Sequence, residues 1–147
     1  MQRLKVTPIG NQIAVAVKLQ TSILQNDETE QFKFNETGQL VQMKDVYYLR
    51  YQEGAQKIPV TFKFDQSGTV LLTRNASNRT RFCFQANHTF ATHYQSEYGL
   101  IKMDVKTIRL LQETDFTAGH GKVAIDYELW AQAQLIGKYQ IRLQFSK

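Results

Sequence analysis

The sequence predicts an all-β protein, an antiparallel up-and-down barrel of about eight to ten strands, and three observations carry that expectation. Apolar residues alternate with polar ones in run after run, the period of a strand with one buried face. Clusters of Gly, Asn and Asp separate the runs at hairpin spacing. No helical period of apolar residues persists long enough to build a helix of ordinary length.

The strands follow in order. Ile13, Val15, Val17, Leu19 and Ile23 alternate, and Asn26-Asp27 closes the run with side chains that tolerate left-handed geometry. Phe32 and Phe34 mark the inner face of the next strand, which is expected to end at Glu36-Thr37-Gly38, with a short strand from Gln39 to Lys44 after it. Val46 to Gln52 turns Tyr47, Leu49 and Tyr51 inward and Val46, Tyr48 and Arg50 outward, although the reverse assignment fits almost as well. Ile58, Val60, Phe62 and Phe64 alternate; Pro59 cannot donate to a ladder, which places it at an edge or a strand start. Asp65 to Gly68 reads as a hairpin loop.

Thr69–Thr73 and Thr80–Phe84 then pair across Asn75–Asn78. With Arg74 opposite Arg79, Leu71 shares a face with Phe82 and Phe84, while Leu72 shares the other face with Arg81. Thr89–Tyr94 is a strand, and Ser96–Gly99 a turn. The last part is a meander: Ile101, Met103, Val105; then Val123, Ile125, Tyr127, Leu129; then Tyr139, Ile141, Leu143, Phe145. Keeping those apolar rows together sets Lys102, Asp104 and Lys106 against Asp126 and Glu128, and such cross-strand pairs contribute roughly 0.2–1 kcal/mol each. The final hairpin is expected to turn at Leu135-Ile136-Gly137. Ile108 and Leu110 fall on the charged face of their strand, which calls for a β-bulge near Thr107; Trp130 likewise shares the face of Asp126 and Glu128.

At 147 residues the chain is expected to form a single domain over 1–147, a length at which roughly 68–70% of the unfolded surface is buried. One cysteine, Cys83, excludes an internal disulfide and suits a reducing compartment. Met1–Gly10 has Arg3 and Lys5 with no apolar run behind them, and nothing later approaches the ~18 apolar residues of a membrane helix. The expectation is a cytoplasmic protein that meets no membrane. The Asn-x-Ser/Thr triplets at Asn35, Asn75, Asn78 and Asn87 are then chance occurrences. Net charge is +5, unevenly spread: Gln66 to Ser96 holds no acid, yet includes Arg74, Arg79, Arg81, His88 and His93.

Several stretches also resemble a known family, the YwiB-like bacterial proteins of unknown function. They are Thr37-Gly38 ahead of the aromatic strand Val46–Gln52, the run Val70-Leu71-Leu72-Thr73-Arg74, and Tyr94-x-x-x-Tyr98-Gly99 leading into Leu100-Ile101-Lys102-Met103. The resemblance spans about Val15 to Phe145 and implies a calycin-like, lipocalin-related β-barrel. It implies no activity and transfers no functional residue. Asn75-Ala76 and Ala86 stand where that pattern has glycine, which bears on turn shape rather than on fold.

Candidate sites come from charge and aromatic placement. Phe32, Phe34, Tyr47, Tyr51, Phe62, Phe64, Phe82, Phe84, Tyr127, Tyr139 and Phe145 point inward, enough rings for a mostly filled interior with a shallow pocket at one mouth. A small anionic or amphipathic ligand there would meet Arg74, Arg79 and Arg81, whose guanidinium groups pair with oxyanions, and Tyr94, Tyr98, Tyr48 and Arg50. The same arginine face is the candidate for weak RNA binding, though no recognised nucleic-acid signature accompanies it. Trp130, Ile108 and Leu110 are the candidate homodimer contact. His88 and His93 lie on opposite faces of one strand, so no metal site is expected, and no cofactor motif is present. Cys83 lacks an activating partner, and no nucleophile elbow or phosphate loop occurs, so the protein is expected not to be an enzyme. Gln112–Gly121, with His120 between two glycines, is a candidate lid.

Overall fold

The computed structural model describes residues 12–147; the reading of Met1–Gly10 lies outside the described residues. Ten antiparallel strands follow in order: β1 (Gln12–Gln25), β2 (Glu28–Met43), β3 (Val46–Glu53), β4 (Ile58–Phe64), β5 (Val70–Asn75), β6 (Arg79–Phe84), β7 (Thr89–Ser96), β8 (Gly99–Asp115), β9 (His120–Ala131) and β10 (Gln134–Ser146). Among the described residues there is no helix, and hence none long and apolar enough to cross a membrane. The sheet order is β6-β5-β4-β3-β2-β1-β10-β9-β8-β7, so β1 pairs with β10 and consecutive strands pair with one another except β6 and β7, which are the two edges. The edges β6 and β7 meet and nearly close the barrel. At that seam side chains take the place of a ladder: the Thr92 hydroxyl donates to the Arg81 carbonyl at 2.6 Å, and the Asn78 amide donates to the Tyr94 hydroxyl at 3.2 Å.

Alternation decides the inner face as expected over most of the chain. Val15, Val17 and Leu19 of β1, Leu49 and Tyr51 of β3, Phe62 and Phe64 of β4 and Val123, Ile125 and Tyr127 of β9 are all buried. That settles the ambiguous strand β3, with Tyr48 and Arg50 outside. Pro59 is the second residue of β4, opposite Gln52 of β3 and ahead of the pairing with β5, at a strand start as expected. The bulge in β8 is present: register shifts between Thr107 and Arg109, leaving Ile108 exposed.

Five expectations are corrected. Thr37-Gly38 does not end a strand, because β2 runs unbroken from Glu28 to Met43. Glycine is needed there for space: a Cβ on Gly38 would lie 2.7 Å from the Arg50 carbonyl oxygen and 3.1 Å from Tyr51 Cβ. The β5–β6 hairpin is one residue out of the expected register, with Arg74 opposite Thr80 and Asn75 opposite Arg79. Since side chains alternate faces, that single step puts Leu72 with Phe82 inside and Leu71 with Cys83 outside. The last hairpin turns at Gln132-Ala133, both at positive φ, and not at Leu135–Gly137. Tyr139 therefore faces Tyr127, and Leu143 faces Val123. Leu110 turns inward behind the bulge and packs on the core.

The fifth concerns 112–121, which is not a lid. β8 and β9 stay paired to Asp115 and His120, leaving a tight turn in which Gly119 N–H donates to the Asp115 carbonyl at 2.9 Å. That turn carries Phe116 into the barrel end, stacked on Tyr47 at 4.4 Å and packed on Phe64 at 5.3 Å and Phe145 at 6.0 Å. This end, which also holds the β2–β3, β4–β5 and β6–β7 turns, is plugged with rings.

Candidate functional site

The opposite end of the barrel, carrying the β1–β2, β3–β4, β5–β6, β7–β8 and β9–β10 turns, is hollow. A cavity of about 600 Å³ enters the interior there, larger than the shallow pocket expected from the count of inward rings. Its walls are mainly apolar: Leu19, Ile23, Phe32, Phe34, Phe62, Leu72, Phe82, Leu129 and Ile141 among them. Phe32 and Ile136 are partly exposed and form part of the rim. Inward alternation continued toward the open end places the polar groups. On β3 the series Tyr47, Leu49, Tyr51 runs on to Glu53, and on β5 Val70 and Leu72 run on to Arg74. Between these strands Val60 of β4 faces Tyr51 on one side and Arg74 on the other, so Arg74 and Glu53 can meet across β4.

They do meet. Arg74 donates to Glu53 Oε1 at 2.5 Å, and Tyr51 O–H donates to Oε2 at 3.4 Å. Glu53 is only 4% exposed, while the Arg74 side chain is 38% exposed. A buried carboxylate persists only when paired and hydrogen-bonded, and this one has both kinds of partner. The Arg74 Nε is buried with no partner among the described residues. The Tyr51 phenol is pushed well above its ordinary range, chiefly by burial and secondarily by the Glu53 charge. The stacked rings of Tyr127 and Tyr139 lie 5.0 Å apart on another wall. Burial raises both of their phenols. All three tyrosines are therefore neutral hydroxyls at ordinary pH, suited to hydrogen bonding and unsuited to proton abstraction.

Of the sequence candidates, Arg74 and Tyr94 line the cavity. Arg79 and Arg81 point outward and are exposed, because the corrected register separates them from Arg74; the three arginines do not converge. Tyr48 and Arg50 lie outside, the guanidinium over the ring at 5.0 Å. Tyr98 sits in the β7–β8 turn, 90% exposed. Trp130 is half-buried, its indole N–H donating to Glu128 at 3.0 Å, and the inward turn of Leu110 removes one member of the expected dimer patch. His88 stacks near Phe90, and His120 begins β9 opposite Asp115. Among the described residues no group of three His, Cys, Asp or Glu is placed to hold a metal ion. Cys83 faces outward, its thiol raised chiefly by partial burial. Sequence reasoning missed Glu53, although the i, i+2 series from Tyr47 already led to it.

The fold and the hollow end can be set beside known proteins. A family model described as a domain of unknown function, DUF1934, matches residues 17–143. The crystal structure of ywiB protein from Bacillus subtilis matches with a TM-score of 0.77 at 17% sequence identity, over 92% of this chain and 92% of that one. At that identity the likeness shows the fold alone. No curated protein matches the chain.

Proposed function

The chain belongs to the DUF1934 family, whose description assigns no activity, and from that premise we propose that the protein is a non-enzymatic binder of one small amphipathic molecule. The ligand sits in the open half of the barrel. One observation carries this reading: a cavity of about 600 Å³ with mainly apolar walls and a few polar groups, in a barrel whose other end is plugged by Phe116. Ligand sites are typically concavities of roughly 300–1,000 Å³ with apolar linings and a few convergent polar groups. A barrel of this size either fills itself with side chains or holds one small molecule, and here one half does each. The lone cysteine suits a cytoplasmic setting, and the neutral tyrosines offer no general base.

The test is binding of the neutral fluorophore N-phenyl-1-naphthylamine to the purified protein, with native mass spectrometry of whatever co-purifies. A saturable one-to-one increase in fluorescence is expected, lost in Leu72→Trp, which fills the cavity. A folded wild-type protein that gives no fluorescence increase and carries no co-purifying small molecule would remove the proposal.

A further inference from the structure

The polar cluster also restricts the head group. We infer that the cavity takes an uncharged hydrogen-bond acceptor, the carbonyl of an ester or amide, in preference to a carboxylate or phosphate. This rests on the cavity reading above. The Arg74 charge is already matched by Glu53, with the two groups 2.5 Å apart and the carboxylate almost fully buried. A second carboxylate, Glu36, is held nearby by the Gly54 N–H at 2.9 Å, and its charge acts on Tyr51 in the same sense as that of Glu53. The guanidinium is thus already balanced by Glu53, and Glu36 adds negative charge on the Tyr51 side. An anionic head group would bring a further negative charge beside the buried Glu53 carboxylate, where like charges repel.

Hydrogen-bond donors, by contrast, are in surplus. Glu53 occupies a single N–H of Arg74, and a guanidinium carries five. The Arg74 side chain is 38% exposed and lines the cavity with N–H groups that Glu53 does not take, and the Tyr127 and Tyr139 hydroxyls line it too. A donor left without an acceptor when a ligand displaces water is costly, so the site gains from an acceptor oxygen that brings no charge. The apolar chain of the same molecule lies along Phe34, Phe62 and Leu129.

The experiment is displacement of bound N-phenyl-1-naphthylamine near neutral pH by methyl decanoate, decanamide and decanoate, on wild type and on Glu53→Gln. In wild type the ester and the amide displace the probe about tenfold more tightly than the acid, the equivalent of about 1.4 kcal/mol. In Glu53→Gln the freed Arg74 charge accepts the carboxylate, and the order equalises or reverses. A wild-type protein that prefers decanoate overturns the head-group inference while leaving the cavity reading intact. An ester-to-acid ratio unchanged in folded Glu53→Gln also overturns it, because the preference would then be hydrophobic alone. Should Glu53→Gln fail to fold, Glu53→Gln combined with Arg74→Gln replaces it, with loss of amide affinity expected and unchanged amide affinity overturning the inference. Failure of the fluorophore itself to bind removes the cavity reading and not merely this one.

Discussion

Phe116→Ala should separate the two halves of the barrel. Phe116 lies in a four-residue turn, yet its ring meets Tyr47, Phe64 and Phe145 at 4.4, 5.3 and 6.0 Å. Truncating a fully buried Phe costs about 3–5 kcal/mol, cavity included. Phe116 is only partly buried, so the cost falls below that range, at about 2–3 kcal/mol. The stacked pair with Tyr47 falls within that figure, since such pairs are worth about 0.5–1.5 kcal/mol. For a chain of this size the fall in Tm is roughly 5–10 °C. Urea unfolding followed by tyrosine and tryptophan fluorescence gives the free energy, and the neutral fluorophore reports the open end. Stability should drop while fluorophore affinity stays within about twofold, about 0.4 kcal/mol, since Phe116 does not line the cavity. A loss below about 1 kcal/mol would mean that the ring does not plug the barrel.

Three further outcomes follow from particular contacts. Gly38→Ala should cost about 1–3 kcal/mol by overpacking, because the new methyl meets the backbone oxygen of Arg50, which cannot swing away as a side-chain tip would; a neutral result in chemical denaturation would contradict the tight approach of β2 and β3. Thr107→Val should stabilise by about 1 kcal/mol, since the Thr107 hydroxyl is buried without a partner; a loss of that size in a thermal melt would mean that the hydroxyl is bonded after all. Stability should fall as pH rises above about 10: the phenols of Tyr51 and Tyr127 are raised in the folded state, so the unfolded chain ionises first and binds fewer protons. Each contributes a loss of about 1.4 kcal/mol by pH 11, measurable as urea midpoints across that range, and a midpoint flat to pH 11 would refute it.

The inner face of the barrel was legible wherever strand alternation was long and unopposed, as in β1, β4 and β9, because burial of one face fixes register without help from the turns. The exceptions share a physical cause. Gln132-Ala133 forms the β9–β10 turn with two residues at positive φ and no Gly, Asn or Asp to announce it. The Leu135-Ile136-Gly137 stretch carries the usual glycine signal, but Gly137 serves a different need, since a Cβ there would meet Gln25 Cγ and Tyr139 Cε1 at 3.1 Å. At β5–β6 either register buries phenylalanines against a leucine, so local hydrophobicity could not choose between Leu71 and Leu72. The choice is made across the barrel, where Phe82 and Phe84 pack on Tyr127 at 5.9 and 4.8 Å.

That one-residue difference also decides the site. In the expected register Arg74 joins Arg79 and Arg81 in an outer basic face, and the ligand looks anionic. In the register adopted, Arg74 alone turns inward and meets Glu53. The positive charge that suggested an oxyanion is thereby balanced within the protein, and what it presents to the cavity is N–H donors rather than net charge. Composition records how many charges a segment carries, whereas the pleat decides which of them share a face, and in this barrel the second fact governs which charges line the cavity.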